Sequence, residues 1–406
     1  MARVLLLPHA PTTGLAHVGA CLAVGSELRA RGHELVMAYG GSRPEVVEAE
    51  GVSWEHVPEI TPEREWDPPR WFASPAELRS IVEAHVGVIE RTGSDVAVSS
   101  SGVAGRLACE LVGLPQLHLM HYLATSTYGR GPVIWRNRLR DARRPRRALR
   151  IARARIRTLR TRAVSGGPPA VVGPVRAELG LPPTRPGAVG GCRDTAIALT
   201  TTPFIDPAVG LPESWRYVGP VVWSAARERV ELPVRGGRPL VYVTQGSTGD
   251  PELLRLAVTE LATEPVEVLV TTGGLCDTGE LERLGPNISA APFLPGDACL
   301  QRADAAVIHG GHLTFCEALR AGTPFVVLPY RRDQIARVNR AERLGVGIGV
   351  WPRPLRRGVV RTAVRRVVKR PRYRLRCEEL GRQLREDWDG RRNAADLVER
   401  ELLGGR

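Results

Sequence analysis

Lysine is nearly missing from this chain: Lys369 is the only one in 406 residues, so a net charge of +14 is carried almost wholly by arginine. That bias fits high-GC coding as well as it fits selection for a polyanionic partner, although the charge itself favours anionic ligands. Paired cysteines are missing too. Cys21, Cys109, Cys192, Cys276, Cys299, Cys316 and Cys377 stand singly, with no CxxC and no tight Cys/His cluster. Neither a zinc site nor a disulfide framework is suggested, and they read as small core residues. Every apolar run is broken by Gly, Pro or charge well short of a membrane span, and the apolar part of "MARVLLLPHAP" is too short for a secretory signal. A cytoplasmic location is expected. No internal repeat of solenoid period is visible. What is present is a globular composition, 43% hydrophobic and 25% charged, in a chain longer than one core usually serves. Two domains are expected.

The order of patterns indicates the fold class. "RVLLLPHA" reads as a strand, the run Val18 to Arg31 carries apolar residues at helical spacing and closes on Arg31-Gly32, and "HELVMAY" returns to a strand. The alternation recurs at "DVAVSS", "GVAGRLACELVG" and "PQLHLM", and again from "PLVYVTQGS" through "PELLRLAVTELA", "VEVLVTTGG", "DAAVIHGG", "HLTFCEALRAG" and "PFVVLP". Strands alternating with helices argue for parallel sheets covered on both faces, an α/β class. Two such series flank the Pro/Gly/Arg-rich stretch 219–238, which predicts two doubly wound domains, residues 1–222 and 239–385, joined by a linker at 223–238.

Between Trp135 and Arg162 nearly half the residues are arginine, and apolar residues recur there at spacings of three and four. Residues 136–162 therefore read as a basic amphipathic helix with a solvated face. The sharper alternative is peripheral contact with an anionic membrane or a phosphate-bearing acceptor. Nucleic acid is disfavoured, because no aromatics interleave with the arginines.

"VIHGGHLTFCEALRAGTPFVVLP", residues 307–329, carries the chemistry. A strand delivers His309 at its carboxyl end, Gly310 and Gly311 permit a tight turn, and a helix begins near Leu313. The free N–H groups of such a helix point at what lies above the strand ends and bind phosphate readily. His309 can donate a further hydrogen bond there. Glu317, one turn into the helix, suits a diol such as a ribose; the plainer reading is a first-turn acid favouring the dipole. The next strand leads to Asp333 and Gln334, a carboxylate beside an amide, suited to adjacent hydroxyls on a sugar ring. Together these describe a nucleotide-sugar.

"HGGHLTFCEALRAGTPFVVLPYRRDQ" resembles the donor signature of the family 1 (UDP-glycosyltransferase-like) glycosyltransferases, HGGxGTxxEAL…GxPxxxxPxxxDQ. "FLPG" at 293–296, "YVGP" at 217–220, "YVTQGS" and the opening "HVGACLAVGSELRARGHEL" resemble further marks of that family, so the resemblance spans both domains. It implies the GT-B fold, two Rossmann-like domains facing a central cleft, with residues 386–406 forming a helix that crosses back to the first. It implies that His309, Gly311 and Thr314 hold the diphosphate, Glu317 the ribose, and Asp333 with Gln334 the transferred sugar. Phe293 would lie by the base and Ser247 near the phosphates. His17, read here on the loop after the first strand, matches the general base. An imidazole also suits proton removal on its own chemistry, since its unperturbed pKa lies near neutrality. His9, His118 and His121 are its competitors, and His312 reads as an outer residue beside the phosphate site.

This chain departs from the pattern at several positions. Ser100 stands where the family orients its base with aspartate, Leu313 and Gly296 replace a glycine and a glutamine, Ala20 replaces a proline, and Arg337 replaces an asparagine. The expected activity is an inverting, metal-independent, hexosyltransferase-type reaction of bacterial natural-product type, from a UDP- or dTDP-sugar to a small acceptor, with no cofactor. The alternatives are a membrane-associated enzyme with a lipid-linked acceptor and a catalytically silent nucleotide-sugar binder. First-domain loops holding Trp66, Trp71, His121 and Tyr122 are the acceptor-site candidates, and a homodimer is left open.

Overall fold

Alternate residues of the first strand face opposite cores, and that alternation sets the layering of the N-terminal half. The computed structural model describes residues 1–8, 15–41, 43–58, 72, 74–120, 171–183, 192–193, 195–208, 211–223, 232, 237–246, 249–330, 332–350 and 357–404, with Arg332 and Asp333 described by backbone alone. These residues divide into two compact units, Met1–Trp223 with Gly390–Arg406, and Ser224–Asp389.

In the first unit the order is β1 (Arg3–Pro8), α1 (Ala16–Ala30), β2 (Glu34–Tyr39), α2 (Pro44–Ala49), β3 (Ser53–His56), α3 (Pro75–Thr92), β4 (Val96–Ser100), α4 (Val103–Val112), β5 (Gln116–Met120), α5 (Val172–Glu178), β6 (Ala196–Leu199) and β7 (Trp215–Tyr217). The strands pair in the order β3-β2-β1-β4-β5-β6-β7, all in parallel. Val4 and Leu6 pack with Val18, Leu22 and Leu28 of α1, whereas Leu5 and Leu7 pack with Leu78 and Val82 of α3 and Leu107 of α4. A strand with helices on both faces has no polar side, so β1 reads as an unbroken apolar run. Ser74 caps α3 by accepting from the Glu77 amide, and Gly93 ends it in the left-handed region at φ 58°.

The last helix, α13 (Gly390–Leu397), and the π-helical turn Val398–Leu403 belong to this first unit. Ala394, Ala395, Val398 and Leu402 join the core beneath α1. Arg31 ties them down with a 2.7 Å contact to Asp396 and another of 2.7 Å to Glu399, while His33 Nε2 lies 3.1 Å from Glu399. The Arg31-Gly32-His33 sequence thus anchors the returning helix, because Gly32 turns at φ 91° and places both flanking side chains against it.

The second unit runs β8 (Leu240–Thr244), α6 (Pro251–Leu261), β9 (Glu267–Thr271), α7 (Thr278–Glu282), β10 (Ile288–Ala291), α8 (Gly296–Arg302), β11 (Ala305–Ile308), α9 (His312–Ala321), β12 (Phe325–Val327), α10 (Arg332–Leu344), β13 (Gly347–Gly349), α11 (Val359–Lys369) and α12 (Pro371–Glu386). Its sheet order is β10-β9-β8-β11-β12-β13, again parallel. Both sheets reverse direction of growth at their first strand, and the carboxyl ends beside that switch are where ligands of such sheets bind. In the first unit that point lies between β1 and β4, and in the second between β8 and β11.

Both units are doubly wound, as the patterns predict. The reading of the sequence passed over β3, β6, β7, β10 and β13, strands of three or four residues too short to show a period. It also placed the start of α1 too late and left His17 on a loop. The helix begins at Ala16 behind Leu15, which makes no side-chain cap, so the usual starting signal is missing and His17 lies in the first turn.

Candidate active site

The turn from β11 into α9 is built around the His309 ring. Gly310 sits at φ 88°, and a Cβ there would lie 2.8 Å from Val327 Cγ1 and 3.3 Å from the Gln334 carbonyl oxygen. A Cβ on Gly311 would collide with the His309 imidazole, and one on Gly246, at φ 68° after β8, would lie 3.0 Å from His309 Cε1. Glycines at 246 and 311 therefore let backbone from both sides of the switch point close on one buried histidine, 9% exposed, while Gly310 lets the turn pass close to Val327 and Gln334. Gly311 is the N-cap of α9; it offers no side-chain acceptor, and the first turn holds no acid. The amides of His312, Leu313 and Thr314 thus meet no compensating charge from their own turn, the electrostatic condition for an anion at a helix start.

Glu317 is not the first-turn acid that one reading of the sequence made it, because α9 starts at His312 and places Glu317 in the second turn. Burial, and after it the negative Asp297, push its carboxyl up to about 7. A Cβ on Gly296 would lie 3.8 Å from Glu317 Oε2 and 3.9 Å from the Tyr242 hydroxyl, so the glycine found where the resembling motif has glutamine keeps backbone close to that carboxylate. The Tyr242 hydroxyl donates to Thr271 Oγ1 at 3.0 Å, and burial raises its pKa. Gln334 is buried, and its Oε1 accepts from the Tyr330 amide at 3.0 Å, fixing the turn into α10. Asp333 precedes it in the first turn of that helix. Phe293, before α8, is 44% exposed, the extent of ring surface a stacking partner could cover.

In the first unit, His17 Nδ1 lies 2.9 Å from the Ser100 hydroxyl. Ser100 ends β4 fully buried, and Ser101 beyond it is the one described non-glycine residue with positive φ, 64°. The Gly102 amide donates to the Ser100 carbonyl at 2.9 Å, and Ser101 bridges to Pro8 at the end of β1. A non-glycine residue held in this region costs about 1 kcal/mol and persists only where its surroundings demand it. Here the strained corner fixes the serine that meets His17. His118 Nδ1 makes a separate contact of 3.0 Å to Ser99, whose side chain alternates to the other face of β4.

Ser247, Trp66, Trp71, His121, Tyr122 and residues 136–162 lie outside the described residues. Among the described residues no group of three His, Cys, Asp or Glu side chains is placed to hold a metal ion. The chain does contain one Asp-x-Asp spacing, at Asp387 and Asp389, in the junction between α12 and α13. A cavity of about 510 Å³ lined by Glu342, Arg366, Arg372, Tyr373 and Arg376 contains none of the site residues expected from the sequence. One member of the site was underrated. Arg337, treated only as a departure, is a buried arginine bound to His312. The signal available in the sequence was a charge on the apolar side of α10.

Comparison with known proteins bears on both units. Residues 256–399 match the family described as "Erythromycin biosynthesis protein CIII-like, C-terminal domain". A PGL/p-HBAD biosynthesis rhamnosyltransferase of Mycobacterium bovis (strain BCG / Pasteur 1173P2) is 30% identical over 317 residues, 75% of this chain and 66% of that protein. The chain thus spans just under two thirds of that relative's length. The 4'-demethylrebeccamycin synthase of Lentzea aerocolonigenes is 34% identical over 234 residues, 55% of this chain and 54% of the synthase. Among solved structures, the glycotransferase of kitacinnamycin matches with a TM-score of 0.74 at 22% identity over 99% of both chains, a likeness of fold.

Proposed function

This chain belongs to the bacterial family 1 glycosyltransferases of natural-product type, with the GT-B fold, and from that premise we propose that it transfers a sugar from a nucleoside diphosphate to a small-molecule acceptor. The observation that carries the proposal is the start of α9, where glycine-built backbone leaves uncapped amides beside the buried His309. Those groups hold the diphosphate and stabilise the negative charge it gains as it leaves. Glu317 accepts from the ribose hydroxyls, Asp333 and Gln334 read the sugar, and Phe293 covers the base. The resemblance assigns Ser247 to the phosphates as well.

His17 takes the proton of the acceptor hydroxyl through Nε2 as the oxygen attacks the anomeric carbon opposite the leaving diphosphate, inverting that centre. For this the proton of the neutral ring must sit on Nδ1, which donates to the Ser100 oxygen at 2.9 Å. The rhamnosyltransferase and synthase names of two relatives support sugar transfer in natural-product biosynthesis. A second reading, a silent nucleotide-sugar binder, is favoured by the serine where the resembling motif has aspartate.

Thermal unfolding with UDP and dTDP, followed by nucleotide release from UDP- and dTDP-sugars with an acceptor panel, tests the proposal. A raised midpoint with one nucleotide and release lost in His17→Ala are expected. No shift with either nucleotide would sink the donor site; a shift without release for any acceptor would favour the silent binder.

A further inference from the structure

We propose that Arg337 is a positioning residue that locks His312 in its neutral, Nε2-protonated form, so that this ring adds a hydrogen-bond donor to the phosphate-binding end of α9. The phosphate half of the proposal rests on the donor-site reading above; the lock itself does not.

Arg337 is 1% exposed, yet a guanidinium keeps its charge inside a protein. Its Nη2 lies 2.7 Å from His312 Nδ1, and its guanidinium carbon lies 5.0 Å from the centroid of the Phe315 ring. The glycine turn fits against the same residue: a Cβ on Gly310 would lie 3.4 Å from Arg337 Cβ. Arginine, which replaces an asparagine here, is therefore packed beneath the start of α9 with its aromatic and its histidine partners both one turn or less from the helix terminus.

The chemistry of the contact is one-sided. Guanidinium donates in every state and accepts in none, so Nδ1 must present its lone pair and the ring proton resides on Nε2. A second proton on Nδ1 would break this bond and bring a second cation against the buried guanidinium from a half-buried ring. Cys316 places its Sγ 3.9 Å from the same Nδ1, and His309 follows β11 on the other side of the Gly310-Gly311 turn. Asp297 of α8 acts on Glu317, further along the helix. His312 follows the Gly311 cap directly, beside the uncapped amides. The result is a neutral donor backed by a fixed positive charge, an arrangement that attracts an anion and whose hydrogen bonding does not switch off as pH rises through the ordinary imidazole range.

Long-range proton–nitrogen spectra of the full chain labelled at histidine nitrogen, without nucleotide, test the lock, with His312→Ala identifying the signal. The His312 ring is expected to stay Nε2-protonated and neutral from pH 5.5 to 8, to begin titrating in Arg337→Gln, and to remain locked in Arg337→Lys, which keeps a cationic donor. An Nδ1-protonated ring, or one that titrates like a free imidazole in the unmodified chain, overturns it. Should Arg337→Gln fail to fold, the spectrum of the unmodified chain still decides. For the phosphate half, UDP and dTDP affinities are measured for His312→Ala, Arg337→Gln and the double variant, each relative to the unmodified chain at the same pH so that Glu317 cancels. Roughly a tenfold loss in each single variant is expected, with the double no weaker than His312→Ala. Independent, additive losses, or no loss in His312→Ala, overturn that half. If the unmodified chain binds neither nucleotide, the donor-site reading fails with it, while the spectra judge the lock alone.

Discussion

His17 Nδ1 and the Ser100 hydroxyl stand 2.9 Å apart, in a position where a carboxylate would orient and charge-stabilise the ring. A hydroxyl does the first of these and little of the second. It holds the ring by one hydrogen bond and would offer only a dipole to the imidazolium formed if His17 takes the acceptor proton as proposed. His17→Ala is expected to lower kcat/KM by about 10²–10⁴, and Ser100→Ala, which removes orientation but keeps the base, by about tenfold. Ser100→Asp restores a negative charge behind Nδ1 and is expected to raise turnover most for acceptors with poorly acidic hydroxyls. Steady-state kinetics on a series of acceptor alcohols and phenols measures all three; unchanged turnover in Ser100→Ala would mean that the contact has no part in the reaction.

The carboxyl of Glu317 makes stability depend on pH in the direction opposite to most acids. Its folded pKa of about 7 lies above the ordinary value of 4.5, so between those two values the folded chain binds a proton that the unfolded chain has released. Stability therefore falls as pH rises from about 4.5 to 7, and the penalty is complete above 7. Glu317→Gln removes it. Relative to the unmodified chain, that variant should gain up to about 3 kcal/mol at pH 8 and almost nothing at pH 4.5, read from denaturant unfolding at the two values. On the proposed reading, in which the ionised Glu317 carboxylate accepts from the ribose hydroxyls, nucleotide affinity should move the other way, and the variant should bind more weakly at pH 8.

Which parts of this were legible in the sequence follows from how local each is. The glycines of the His309 turn were readable because positive φ and close packing allow few other residues, and β11 and α9 flank them with clear apolar patterns. β13 was not, since Gly-Ile-Gly has no strand signal of its own and is a strand only by pairing with β12. His17 and Ser100 were each readable from the resemblance, but their hydrogen bond links residues on α1 and β4 that only the parallel pairing of β1 with β4 brings together. Arg337 showed as a departure and nothing more, because the sequence does not say that α10 turns that residue under α9. The partner of Arg31 and His33 was hidden for the same reason: Glu399 lies near the far end of the chain.

That last contact predicts how the C-terminal segment detaches. His33 first, and then Arg31, hold the Glu399 carboxyl below the usual carboxylate range against an opposing effect of burial. A depressed folded pKa stabilises above the unfolded value near 4.5 and loses that contribution as pH falls through the folded value. Residues 390–403 should therefore lose amide protection as pH falls below about 4.5, before the sheets do. Arg31→Ala removes the ties to Glu27, Asp396 and Glu399 together and should produce the same loss at neutral pH, with a destabilisation of about 1–2 kcal/mol. Hydrogen exchange read peptide by peptide checks both; protection of 390–403 unchanged in Arg31→Ala would leave the anchoring to the apolar residues beneath α1.

Gly310 offers the sharpest separation of backbone from side-chain effects in the site. An alanine there meets two independent penalties, the left-handed φ of 88° and a Cβ placed 2.8 Å from Val327 Cγ1. The first costs about 1 kcal/mol and the second about 1–3 kcal/mol, since Val327 is fully buried in β12 and has nowhere to retreat. Gly310→Ala should thus lose about 2–4 kcal/mol of stability and weaken nucleotide binding, because the turn that carries His309 must shift to relieve the contact. Val327→Ala removes the colliding methyl, so in the double variant the two changes should couple favourably, recovering the steric part and leaving the backbone part. A double-mutant cycle on unfolding free energy reads this directly. Strict additivity would show that Val327 is not what excludes a side chain at 310, whereas coupling in stability without recovery of nucleotide affinity would show that φ alone sets the geometry the diphosphate needs.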